Sequence, residues 1–106
     1  SDYVDRMNRT WGYLVRDNIA PVWIGEMGSS MRTPVSRDWA WTLIRYMNGE
    51  YADQGGPRFD VGQQPISGSW WVIGPSDDPP YGLQTSWGIG NYRPEQREIT
   101  DRMLMR

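Results

Sequence analysis

The sequence predicts an α/β fold of the order α-β-α-β-α, a piece of a (β/α)8 TIM barrel that is incomplete as a single chain. Two short apolar runs, Val22-Trp23-Ile24 and Trp70-Trp71-Val72-Ile73, read as buried strands. Segments of helical periodicity precede, separate and follow them. Strands joined through a helix run parallel, and a parallel sheet is buried on both faces, which two strands cannot achieve alone. The chain of 106 residues is therefore expected to be one barrel segment, completed by another segment or another copy.

The first helix is predicted over residues 2–16. Val4, Met7, Trp11 and Leu14, with Val15, make one apolar stripe, while Asp2 and Asp5 sit in the first turn and Arg16 in the last. Asp17-Asn18 ends it. Residues 19–25 then read as the first strand, with Pro21 tolerated near its start. Ser36 is a plausible cap for a second helix over 37–47, whose buried side is Trp39, Leu43, Tyr46 and Met47, and Asn48-Gly49 stops it. A polar stretch, 49–67, leads to a second strand over 69–73. After a loop over 74–92, Pro94 opens a last helix to about Met105. No internal repeat or low-complexity segment offers another solution.

Composition narrows the chemistry. There is no Cys and no His, so thiolate metal sites and the commonest general base are excluded, and catalysis must rest on carboxylates. The net charge of −2 and the lack of a basic run give nucleic-acid binding no support. No apolar stretch approaches a membrane span, and the first residues are too polar for a signal peptide. Asn8-Arg9-Thr10 is an N-glycosylation triplet. The chain holds 7 Trp and 12 Gly. Trp-rich, Gly-rich loops fit a carbohydrate groove, because indole faces stack on pyranose rings.

Glu26, following Gly25 at the tip of the first strand, is the candidate catalytic residue, since the C-terminal strand tips of (β/α) folds carry the chemistry. Its bland reading is a surface or capping carboxylate. For Trp71 the bland reading is core packing. Trp70 should face opposite to Trp71 by strand alternation, against helices. Trp23 is expected in the core, and Trp39 in helix packing. Trp87 is a candidate for a distal sugar subsite, with Tyr81 and Asn91 behind it. Asp77 and Asp78 could line the groove or approach Glu26 from the second strand's loop.

The run Trp11-Gly12-Tyr13-Leu14 and then Asn18-Ile19-Ala20-Pro21-Val22-Trp23-Ile24-Gly25-Glu26-Met27-Gly28 resembles the seventh strand of glycoside hydrolase family 5 endoglucanases (cellulases). The nucleophile there is the Glu of a Trp-x-Gly-Glu-Phe-Gly type motif. Glu26 matches it, with Met27 in place of the usual aromatic. Trp71-Val72-Ile73-Gly74-Pro75, then Ser76-Asp77-Asp78 and Tyr81-Gly82-Leu83, resembles strand 8 and its loop. Ile73 and Gly74 depart from the Trp-Ser-Trp-Asn-Pro pattern.

The resemblance implies the C-terminal part of a (β/α)8 barrel, covering strands 7 and 8. It implies retaining hydrolysis of β-1,4-glucan with Glu26 as nucleophile and Trp71 as the platform beneath the sugar. It also implies a secreted, extracellular setting and no cofactor or metal. The family's acid/base Glu follows an Asn, and no Asn-Glu pair exists here, so that group is expected from outside this chain or from another copy. The expected partners are a β-glucan and the rest of the barrel, as a second polypeptide or homo-oligomer. The alternative is a carbohydrate-binding or inactive barrel fragment with no turnover of its own.

Overall fold

A computed structural model describes residues 2–72, 74–75, 82–88 and 90–104. The first helical segment runs as α1 (Asp2–Met7), a π-helical turn over Asn8–Gly12, and α2 (Tyr13–Arg16). Its end is set by Asn18, which takes a left-handed φ of 56°, a conformation that asparagine tolerates. The amides of Ile19 and Ala20 still bond back to the Leu14 carbonyl, and Pro21 has no amide to give. The first strand, β1 (Trp23–Met27), therefore begins later than the apolar run suggests and extends past Glu26.

Helix α3 (Pro34–Met47) begins three residues before the predicted start. Thr33 caps it, accepting from the Ser36 amide at 3.1 Å, while the Ser36 hydroxyl accepts from the Thr33 amide at 3.1 Å. Ser36 is thus the reciprocal partner in a capping box, and Pro34 fills the first helical position. After a 3-10 turn at Ala52–Gln54 the chain reaches β2 (Ser67–Trp70), and α4 (Pro94–Leu104) closes the fold.

The strands run parallel, pairing Trp23 with Ser67, Ile24 with Gly68 and Met27 with Trp70. Gly68 is needed for space: a Cβ there would lie 2.9 Å from the Ile24 carbonyl oxygen and would strike the Met27 methyl. The ladder closes where the Trp71 amide donates to the Met27 carbonyl at 2.7 Å. β2 thus ends before Val72, and Ile73 lies outside the described residues.

The barrel-segment expectation is overturned. The described residues form only two parallel strands and three helical segments, without the repeated strand–helix pattern of a barrel. One face of the sheet packs into a core of the chain's own, built from Met27, Met31, Leu43, Ile44, Met47, Ile66, Ile99 and Met103. Methionine's flexible thioether fills such an irregular interior where branched side chains would need a regular layer. The other face is open. Trp23, expected in the core, is 62% exposed there. Trp39 is exposed on α3, while Leu43, Tyr46 and Met47 are buried as predicted, together with Ala40, Thr42 and Ile44.

Candidate active site on the open face of the sheet

The local geometry of β1 decides where Glu26 stands. Between the Ile24–Gly68 and Met27–Trp70 pairs, β1 advances three residues while β2 advances two. The extra residue is a β-bulge. Strict alternation would send Ile24 and Met27 to opposite faces. With the bulge, Ile24 packs against the core and Met27 is buried in it, leaving Gly25 and Glu26 exposed. The Trp23 indole lies beside Gly25, its Nε1 and Cδ1 each 3.9 Å from where a Cβ would stand.

On β2, Trp70 packs against the core while Ser69 and Trp71 are exposed. Trp71 is 51% exposed and its amide is tied to Met27, the residue after Glu26. Glu26 and Trp71 are thus brought to the same end of the two-stranded sheet, while Trp23 opens β1 at the other end. Trp87 stands beyond β2, exposed, with its ring against Gly74. Asp77, Asp78 and Tyr81 lie outside the described residues. Asn91 is a loop residue whose amide nitrogen donates to the Trp87 carbonyl at 3.4 Å.

The loop after Glu26 is built as firmly as the strand. Met31 is buried at a φ of 57°. The buried Ser29 hydroxyl accepts from the Met31 amide and donates to the Ser36 carbonyl. Gln96 of α4, also buried, donates to the carbonyls of Ser30 at 2.9 Å and Ser29 at 3.4 Å. Sequence reasoning missed Gln96, yet a signal was there. Gln96, Ile99 and Met103 share one stripe at i, i+3 and i+7, and a lone amide in an apolar stripe must find partners.

Several other carboxylates are engaged elsewhere. Glu95 forms a two-pronged pair with Arg37 at 2.7 and 2.9 Å, and that guanidinium holds its carboxyl below the usual range. Glu50 pairs with Arg102 at 3.0 Å and Asp17 with Arg16 at 2.8 Å. Among the described residues no group of three or more acidic side chains is placed to hold a metal ion, and no helix is long and apolar enough to cross a membrane.

Two clefts lie away from Glu26. A cleft of about 450 Å³ beside β2 and α4 is lined by Trp70, Leu83, Tyr92 and Met103, with Arg97 stacked 4.7 Å over the Tyr92 ring. Another of about 440 Å³ is lined by Asn48, Glu50, Gln63 and Arg102. Glu26 lines neither. Glu26 stands instead on the open face of the sheet. No family model matches the sequence.

Proposed function

We propose that this chain carries the nucleophile side of a retaining site for endo-hydrolysis of β-1,4-glucan, with Glu26 as the attacking group. The observation that carries the reading is the β1 bulge, which presents Glu26 to solvent beside Trp71 at the end of the sheet. Retaining cleavage needs a second carboxyl about 5–5.5 Å from the first, to protonate the leaving oxygen and later activate water. That group comes from a second polypeptide or a second copy of the chain. Trp71 serves as the platform for the sugar bonded to Glu26. The polymeric substrate places the activity outside the cell. The exposed indoles also favour a second reading, binding of β-glucan without turnover.

A glycosyl fluoride separates the two readings, because fluoride departs without help from an acid. With 2-deoxy-2-fluorocellobiosyl fluoride, a Glu26 carboxylate oxygen bonds to C1 as the C1–F bond breaks and fluoride ion leaves. The intact mass should rise by one fluorocellobiosyl unit carried on the Glu26 peptide, and Glu26→Gln should take none. Binding of cello-oligosaccharide without an adduct would establish the binding-only reading. An adduct that persists in Glu26→Gln would overturn the assignment of the nucleophile.

A further inference from the structure

The cleft between β2 and α4 has walls of two chemistries. Trp70, Leu83 and Met103 form its apolar side. Met103 is buried and Trp70 packs against the core, so the close-packed interior holds this wall in place. The rim is polar and comes from one side of α4, where Arg97, Thr100 and Asp101 line the cleft at i, i+3 and i+4. Its volume of about 450 Å³ lies within the range that small-molecule sites occupy, and apolar walls with a few placed polar groups are their usual lining.

The charged pair on the rim is oriented but not closed. The Arg97 guanidinium lies 4.7 Å over the Tyr92 ring. The chain that carries Tyr92 is itself fastened, since Tyr92 bridges to Gln84 and the Arg93 amide donates to the Leu83 carbonyl at 2.7 Å. Stacking on a ring fixes the plane of a guanidinium and leaves its N–H edge for a ligand. Arg97 Nε stands 3.9 Å from Asp101 Oδ2, beyond hydrogen-bond reach. Both groups therefore keep hydrogen-bonding capacity for a third partner. The Thr100 hydroxyl donates to the Arg97 carbonyl at 3.0 Å, and its oxygen can still accept.

We infer that this cleft binds a free aromatic α-amino acid. The ring lies against Trp70, Leu83 and Met103, the carboxylate meets Arg97 and the ammonium meets Asp101. A ligand of single charge would be drawn to one member of the pair and repelled by the other. A molecule with both charges on one carbon complements both. Its aromatic side chain covers the apolar wall, where ring contacts with Trp70 add to the area removed from water. Glu26 does not line this cleft, so the inference stands or falls independently of the hydrolase reading.

The test is calorimetric titration of the full chain with L-tryptophan at millimolar concentrations. The comparison ligands are tryptamine, which lacks the carboxylate, indole-3-propionate, which lacks the ammonium, and L-alanine, which lacks the ring. L-tryptophan should bind, tryptamine and indole-3-propionate each about tenfold more weakly, and L-alanine not measurably. Arg97→Gln and Asp101→Asn should each weaken L-tryptophan about tenfold. Their thermal midpoints should stay close to wild type, because an exposed pair adds little to stability. Tryptamine should lose nothing in Arg97→Gln, and indole-3-propionate nothing in Asp101→Asn, since each lacks the group that the altered side chain binds. No binding of L-tryptophan by wild type would overturn the site. Equal affinity for L-tryptophan, tryptamine and indole-3-propionate would reduce it to an apolar cleft and overturn the pairing of charges. Tryptophan affinity untouched by both substitutions would place the binding elsewhere and overturn this cleft.

Discussion

Tyr46 shows how one residue ties the first helical segment to the rest. Its ring is fully buried, edge-on to Trp11 at 5.2 Å, and its hydroxyl donates to Asn8 Oδ1 at 2.6 Å. Asn8 in turn donates to the Gln54 carbonyl at 2.9 Å. The glycosylation triplet seen in the sequence thus contains a structural amide with both polar atoms in use. Gly12 leaves the hydroxyl its room, because a Cβ there would collide with it. Gly12→Ala should cost roughly 1–3 kcal/mol, read as a lowered urea midpoint. Burial pushes the Tyr46 phenol up to about 12 from its ordinary 10.0, against a weaker opposing pull from Arg16. The unfolded chain therefore loses this proton at lower pH than the folded one. The stability linked to Tyr46 is full below pH 10 and falls as pH rises from 10 towards 12. The sequence has no lysine to confuse that window. Urea midpoints across it should decline in wild type and decline less in Tyr46→Phe; equal slopes would remove Tyr46 as the cause.

At the scale of elements, the parts of the fold legible in the sequence were those with a strong local period. The helix starting at Pro94 and the stop at Asn48-Gly49 follow from local chemistry. β1 starts later than the apolar run predicts because the amides of Ile19 and Ala20 are claimed by the Leu14 carbonyl, a contact invisible to an apolar run. The bulge that exposes Glu26 was illegible for another reason. It exists only in the pairing with β2, where Gly68 lets the strands approach, and no property of residues 22–27 alone encodes it. The sequence points to Ser36 as the cap of α3, whereas Thr33 provides it and Ser36 answers from the third helical position. Thr33→Ala should destabilise by about 1 kcal/mol, measurable as a lower thermal midpoint. The Arg37–Glu95 pair joins the first turns of α3 and α4. Because Arg37 lowers the Glu95 carboxyl, its contribution is present at neutral pH and is lost as acid titrates Glu95 below the usual carboxylate range. Glu95→Gln should flatten that acid limb. Gln96→Leu leaves the Ser29 and Ser30 carbonyls without their donor and should cost about 1–3 kcal/mol, lowering the urea midpoint without changing its slope.

The whole molecule carries the consequence of a sheet covered on one face. Its dimensions are 42 × 29 × 19 Å with a radius of gyration of 14.5 Å, against about 13 Å for a compact chain of this length. Among the described residues the sheet holds only β1 and β2, so β1 is an edge strand. Beside the β1 edge stand Ile19 and Trp23, both 62% exposed. Open strand edges next to apolar side chains pair with other chains unless a charge or proline blunts them. Pro21 lies before β1, and Glu26 is the strand's one charged residue. Sedimentation velocity over a rising concentration series should therefore show reversible self-association of the wild-type chain. Trp23→Lys sets a cation on that edge and should hold the protein at 12.3 kDa, with its thermal midpoint little changed because the indole is largely in water. A sedimentation coefficient constant across the series in wild type would show that the open face does not draw chains together. Association undiminished in Trp23→Lys would place the contact somewhere other than β1.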